Sequence, residues 1–381
     1  MLIGKIKGII VSAAIVLAVC SEAVFAEEKI EYKECSILFE ISTGAVIDSG
    51  SETECVPIGT MNKLMTVLLV AEKIENGEMA LDESVKTSAA ANSMQGAQIW
   101  LMPGEEMSVE DLLKGVIIGN ANDASVALAE AVCGTESDFV ELMNQRAGEL
   151  EMYDTSFTNC CGYYDDSSQI STAEDMSKLV SELFKYDFLQ PYFVCWLDYL
   201  RDGGTELVNS NILVKNFSGI IGFKAGFTES SGNCIAAAAN IDGKAFGVVL
   251  LGYEDKDIMF SDAKRLLNYA FSNYQIMKPS LPENMPDEIS VRGGVTKFVG
   301  LEYDDVRNIV IPNGAVGTIS SEVFVPDYVY APVNAGDKIG EIHFYRNGKF
   351  IFSVDINAEK SVEGMNIKKS MVILLKFLLS F

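Results

Sequence analysis

Basic charge is scarce in this chain of 381 residues: 29 lysines and arginines face 54 aspartates and glutamates, for a formal charge of −25. No basic surface is left to neutralise a row of phosphates, which argues against nucleic acid as a partner. Histidine is rarer still. The single one, His343, lies far in sequence from the adjacent Cys160-Cys161, and no CxxC is present, so neither a metal site nor a redox site is expected. Of eight cysteines, Cys20 falls in the apolar leader; the others (Cys35, Cys55, Cys133, Cys160, Cys161, Cys195 and Cys234) are odd in number and irregular in spacing. They read as small buried hydrophobes rather than a disulfide framework. Tandem repeats and low-complexity tracts are absent.

The ends are more informative. Residues 1–26 place Lys5 and Lys7 before an apolar run from Ile9 to Val19 and close on Val24-Phe25-Ala26, the pattern of a secretory signal peptide cleaved after Ala26. An uncleaved N-terminal anchor is the alternative. The last residues, "MNIKKSMVILLKFLLSF", are too few to span a bilayer as a conventional helix. On a helical wheel Lys369, Lys376 and Ser380 share a narrow polar stripe, so 363–381 reads as an amphipathic helix lying in a membrane surface.

Between the ends, "ECSILFEISTGAV" reads as a hairpin and Thr60 to Lys73 carries Leu64, Val67, Leu68 and Ala71 at helical spacing. Further helices are expected at about 109–118, 124–132, 135–150 and 173–184. From Leu213 the chain turns strand-like, with Asp242-Gly243 as a hairpin turn, and a last helix is expected at 258–274. Helices enclosed between two groups of strands predict an α+β domain over 27–278 whose antiparallel sheet draws on both ends. Three prolines in "IMKPSLPENMPD" mark a linker, and short strands separated by turn residues predict a small all-β domain over 279–362.

Three stretches could carry chemistry. Thr60 and Lys63 stand one helical turn apart, where a partly desolvated amine could take the hydroxyl proton. Thr60 serves equally well as a helix N-cap. Asn120-Ala121-Asn122 precedes a helix and could set an amide against a substrate carbonyl; Asn122 or Asp123 as N-cap explains the same letters. Lys224-Ala225-Gly226 lies on an expected strand, where the lysine could meet a carboxylate and Gly226 would permit close approach to the backbone.

In this order the three stretches correspond to SxxK, SDN and KTG, with substitutions, the signature of penicillin-binding proteins and class A β-lactamases. With "KLMTVLLVAE", "PGEEMSVEDLLKGVIIGNANDASVALAE", "GFKAGFTESSGNCIAAAA" and "YAPVNAGDKIGEIHFYRNG", the chain resembles the low-molecular-mass penicillin-binding proteins that act as serine-type D-alanyl-D-alanine carboxypeptidases. The resemblance implies a penicillin-binding/β-lactamase-like transpeptidase domain, an all-β domain and an amphipathic anchor. It also implies removal of the terminal D-alanine from peptidoglycan stem peptides through an acyl-enzyme, β-lactams as further ligands, no metal or organic cofactor, and a place on the extracytoplasmic face of the bacterial membrane. Position by position, Thr60 stands for the acylated serine, Lys63 for the general base and Asn120 for the proton-relaying serine. Asn122 and Lys224 match substrate-binding residues, and the backbone N–H groups of Thr60 and Phe227, beside Gly226, would form the oxyanion hole.

All three hydroxyl positions of the pattern are substituted: Ser to Thr60, Ser to Asn120, Thr to Ala225. The β-methyl of threonine crowds the attack, asparagine cannot relay a proton as a hydroxyl does, and alanine removes a donor worth about 1.5–3 kcal/mol to a bound carboxylate. The alternative function is therefore a catalytically impaired relative that binds stem peptides or partner wall enzymes.

Overall fold

The computed structural model describes residues 33–163, 168–315 and 319–379. The leader over 1–26 lies outside them. At the expected hairpin, Cys35–Glu40 and Val46–Gly50 pair antiparallel. Their turn is organised from below by Glu40, only 1% exposed, whose carboxylate accepts the backbone N–H groups of Ser42 and Thr43 at 3.0 and 2.8 Å and both hydroxyls. This explains why Ser42-Thr43-Gly44 breaks the apolar run. Cys35–Glu40 then pairs with Lys244–Tyr253, which continues through Gly232–Ile241 to Ile220–Thr228 at the edge. The first and last strands of the domain thus meet in one five-stranded antiparallel sheet. The Asp242-Gly243 turn joins two of its strands with positive φ at both residues, 53° and 78°.

Alternation along these strands feeds two apolar layers. Ile37, Phe39, Cys234 and Ala236 face a helical cluster that includes Lys63–Glu75, Val109–Ile117, Asn122–Cys133, Glu136–Glu149 and Ala173–Leu183. Leu38, Ala225, Ile235 and Ala237 face the other way, against Lys256–Asn273. Every residue from Lys63 to Ala71 is buried, so this helix is enclosed on all sides and carries Lys63 into the interior. Cys35, Cys160, Cys161 and Cys234 are buried as expected, whereas Cys55 is exposed and Cys133 and Cys195 are half-buried; burial pushes the Cys35 and Cys234 thiols up to about 11.

The linker expected from Ile276 begins two residues later than the prolines suggested. Tyr274–Met277 is a strand paired with Ile309–Pro312, because Tyr274 and Ile276 pack on the second apolar layer while Met277, on the opposite face, packs on the core of the all-β domain. A six-stranded sheet follows, ordered Ile319–Phe324, Lys338–Arg346, Lys349–Ala358, Phe298–Tyr303, Glu288–Arg292 and Tyr328–Tyr330, around its own core of Ile342, Phe344, Val354 and Ile356. A helix at Ile367–Leu379 comes last, with Ile367, Met371, Leu375 and Leu379 exposed at four-residue spacing along one side. Among the described residues no helix is long and apolar enough to cross a membrane.

Candidate active site

A cleft of about 480 Å³ is lined by Thr60, Gly96, Ala97, Asn120, Asn122, Tyr163, Phe227, Thr228 and Glu229. It lies where the start of the buried helix, the loop before Asn122–Cys133 and the edge strand converge. Residues from three distant stretches therefore share one wall.

Thr60 sits on a short 3-10 turn, Gly59–Asn62, that leads into Lys63–Glu75. Gly59 has φ of +49°, a backbone conformation that disfavours side chains. The capping explanation of Thr60 fails: neither helical segment takes a side-chain cap there, and the Thr60 Oγ1 has no hydrogen-bond partner among the described residues. Asn122 and Asp123 do not cap either. Asn122 is the first residue inside its helix, with Ala121 at the cap position. Its Oδ1 accepts from Lys63 Nζ at 2.7 Å while its Nδ2 donates to the Gln95 carbonyl at 2.6 Å. Asp123 instead accepts the backbone N–H groups of Ile99 and Leu101.

Lys63 is fully buried. Its Nζ donates to Asn122 Oδ1 and, at 2.5 Å, to the Cys161 carbonyl. Burial lowers its pKa below the ordinary amine value, which makes its neutral form more accessible. A neutral amine has two N–H bonds and one lone pair; with both N–H groups committed, the lone pair is left to accept a proton. Thr60 Oγ1 lines the cleft without a partner, while Lys63 lies buried behind the wall and no hydrogen bond joins the two among the described residues.

The strand Ile220–Thr228 contributes differently from expectation. Lys224 is buried and absent from the cleft wall; its Nζ donates to the carbonyls of Val116 and Ile117 at 2.8 and 3.3 Å, at the end of Val109–Ile117. Burial, reinforced by the nearby charge of Lys63, drives its pKa well down. It ties the edge strand to the segment that leads into Asn120 rather than offering a cation at the surface. At Gly226 the backbone is approached closely by Thr60, since a Cβ at 226 would overlap the Thr60 hydroxyl and lie 3.1 Å from its Cβ. Ala225 faces the second apolar layer, with its carbonyl accepting from Ser210 Oγ at 2.5 Å. A hydroxyl thus remains on this edge, supplied by another segment. Phe227 stands exposed at the lip.

Asn120 lines the cleft with φ of 57°, and its buried Oδ1 has no partner among the described residues. Asparagine tolerates this left-handed backbone better than most residues, which gives a local reason for its presence.

Sequence reasoning missed the support beneath Lys63. Asn62 Nδ2 donates to the Asn159 carbonyl at 3.0 Å and to Gln169 Oε1, while Asn159 Oδ1 accepts the N–H groups of Cys161 and Gly162 at 3.1 and 2.6 Å. This buried amide cluster fixes the loop whose Cys161 carbonyl holds Lys63. Tyr163, Thr228 and Glu229 were also missed as cleft residues. Asn62 had been readable as a polar residue entering a buried helix; Asn159 and Gln169 belong to no periodic pattern.

Fold and site together define a penicillin-binding-protein type of molecule, a transpeptidase-like α+β domain followed by an all-β domain. Residues 23–255 match the family profile of D-alanyl-D-alanine carboxypeptidase, and residues 282–364 match that of the penicillin-binding protein 5 C-terminal domain. The chain belongs to the D-alanyl-D-alanine carboxypeptidase family. It is 31% identical to D-alanyl-D-alanine carboxypeptidase DacF of Bacillus subtilis over 86% of this chain and 85% of that one. Penicillin-binding protein 5 from Haemophilus influenzae has the same fold, with a TM-score of 0.79 at 24% identity over 88% of this chain and 98% of that chain. Cefotaxime-bound penicillin-binding protein D2 from Listeria monocytogenes superposes with a TM-score of 0.57 at 25% identity, covering 62% of this chain and 96% of its own.

Proposed function

We propose that this family member is catalytically active with a threonine nucleophile, cutting the terminal D-alanyl-D-alanine bond of peptidoglycan stem peptides. The observation that carries the reading is Lys63: a fully buried amine with a lowered pKa, held by Asn122 and Cys161 one helical turn after Thr60, whose hydroxyl is unpartnered.

The amine lone pair takes the Thr60 proton as Oγ1 attacks the carbonyl carbon of the penultimate D-alanine. Negative charge develops on the carbonyl oxygen, where the backbone N–H groups of Thr60 and Phe227 are assigned to meet it. The protonated Lys63 returns its proton to the departing D-alanine nitrogen, directly or through water, since the Asn120 carboxamide does not relay protons. Water then adds to the ester on Thr60, losing its proton to Lys63; the tetrahedral intermediate breaks its bond to Thr60 Oγ1, which takes that proton back from Lys63, and the shortened peptide leaves as its carboxylic acid.

Such a substrate places the protein outside the cytoplasm, consistent with the leader pattern over 1–26. The exposed stripe of Ile367, Met371, Leu375 and Leu379 supports docking of the last helix in the membrane surface, parallel to it.

Intact-mass measurement after incubation with benzylpenicillin tests the nucleophile. The expected result is one covalent adduct mapped to Thr60, absent from Lys63→Ala and formed faster by Thr60→Ser, where the crowding methyl is gone. Absence of an adduct from both the parent and Thr60→Ser would overturn the reading in favour of a binding role.

A further inference from the structure

One residue near the cleft is held in a way that chemistry on Thr60 does not explain. Trp100 is 72% exposed, and its φ of 60° lies in the left-handed region that bulky L residues avoid. Its neighbours hold it there. Ile99 and Leu101 are buried, and their N–H groups donate to Asp123 Oδ1 and Oδ2 at 3.1 and 3.0 Å. The Ile99 carbonyl accepts from Arg201 Nη1 and the Leu101 carbonyl from Asn92 Nδ2, both at 2.7 Å. Both flanking peptides are thus clamped, and the indole is carried outward on a rigid mount.

The mount is continuous with the cleft. Asp123 follows Asn122, which lines it, and the loop leaves the cleft wall at Ala97, three residues before Trp100, a reach of at most about 11 Å. We propose that Trp100 is a stacking platform for a sugar ring of the glycan that carries the stem peptide, which rests on the reading of the Thr60 cleft as a stem-peptide site. A stem pentapeptide cut before its last residue keeps four residues between the scissile carbonyl and the sugar, up to about 14 Å of extended chain. The sugar therefore falls beyond the cleft, on ground adjoining its wall. A pyranose offers a flat face of C–H groups, and a fixed, solvent-facing indole matches it with little ordering cost on binding. The other tryptophan, Trp196, is not available in this way, because Lys215 Nζ covers its ring at 4.4 Å.

The test compares two substrates on the full-length protein: a free pentapeptide ending in D-Ala-D-Ala, and the same peptide on its N-acetylglucosaminyl-N-acetylmuramoyl disaccharide. In the parent, kcat/KM for D-alanine release is expected to favour the disaccharide form, and Trp100→Ala to reduce that preference about fivefold, the scale of one aromatic stacking contact. Trp100→Phe is expected to retain most of it. An unchanged preference in Trp100→Ala overturns the proposal. If neither substrate is hydrolysed, the Thr60 reading fails separately, and saturation-transfer NMR with the disaccharide-peptide decides: signal at the sugar protons that is lost in Trp100→Ala supports stacking, and none from the parent overturns it.

Discussion

Thr60 occupies the space that any side chain at residue 226 would need, since a Cβ there would overlap the Thr60 hydroxyl. Gly226→Ala must therefore push the nucleophile or the edge strand out of place. A displacement near 1 Å at a reacting atom can cost on the order of 100-fold in rate. We expect benzylpenicillin acylation of Gly226→Ala to fall by about that factor with circular dichroism unchanged; retention of the parent rate would show that the close approach is unimportant.

The base predicts a pH profile with a definite sign. Burial lowers the Lys63 pKa, and only the neutral amine accepts the Thr60 proton, so acylation should rise with pH through that lowered pKa and then level off. Lys63→Arg should be inactive throughout, because a guanidinium does not deprotonate in this range. Stopped-flow acylation across pH checks both, and a rate independent of pH would remove Lys63 from the role of base.

Support for the base can be weakened without touching the cleft. Asn159→Ala leaves the buried N–H groups of Cys161 and Gly162 without their acceptor, at a cost of about 1–3 kcal/mol each. The melting temperature should drop by several degrees, and acylation should slow beyond what stability explains, because the Cys161 carbonyl then holds Lys63 less firmly. A loss of stability with an unchanged acylation rate would make the cluster purely structural.

For the last helix, Met371→Asp with Leu375→Asp interrupts the exposed apolar stripe. Each side chain contributes about 1.5–3 kcal/mol of apolar burial when it enters an interface. Co-sedimentation with lipid vesicles should capture the parent and leave the double variant in the supernatant; equal capture of both would rule the stripe out as the contact.

Periodicity made much of the architecture legible. The hairpin at residue 35, the buried helix after Thr60 and the Asp242-Gly243 turn all follow from patterns within a dozen residues. What periodicity could not supply was facing. Nothing local distinguishes Lys224 as a buried tie to Val116 and Ile117 from a cation displayed to a ligand. Nor does it show that Ala225 faces the second layer while Ser210 reaches its carbonyl. Thr60 and Asn122 have the composition of helix caps, yet the Asn122 amide is taken by Lys63 and the Gln95 carbonyl, and the Thr60 hydroxyl is left without a partner among the described residues. The mount of Trp100 depends on Asp123 and Arg201, distant in sequence, whereas Asn159 joins a local turn at Cys161 and Gly162 to the distant Asn62.

The sheet has a consequence for how the protein comes into being. Its first strand, Cys35–Glu40, has no inner neighbour until Lys244–Tyr253 arrives, and Thr60 has no edge strand beside it until Ile220–Thr228 does. A nascent chain that has emerged only as far as the helices holds Thr60 and Lys63 but lacks the strand that completes their enclosure. Closure must await strands made near the end of the domain, and contacts between such distant segments form slowly. The Thr60 cleft is therefore among the last features of the domain to be completed, whichever compartment the chain folds in.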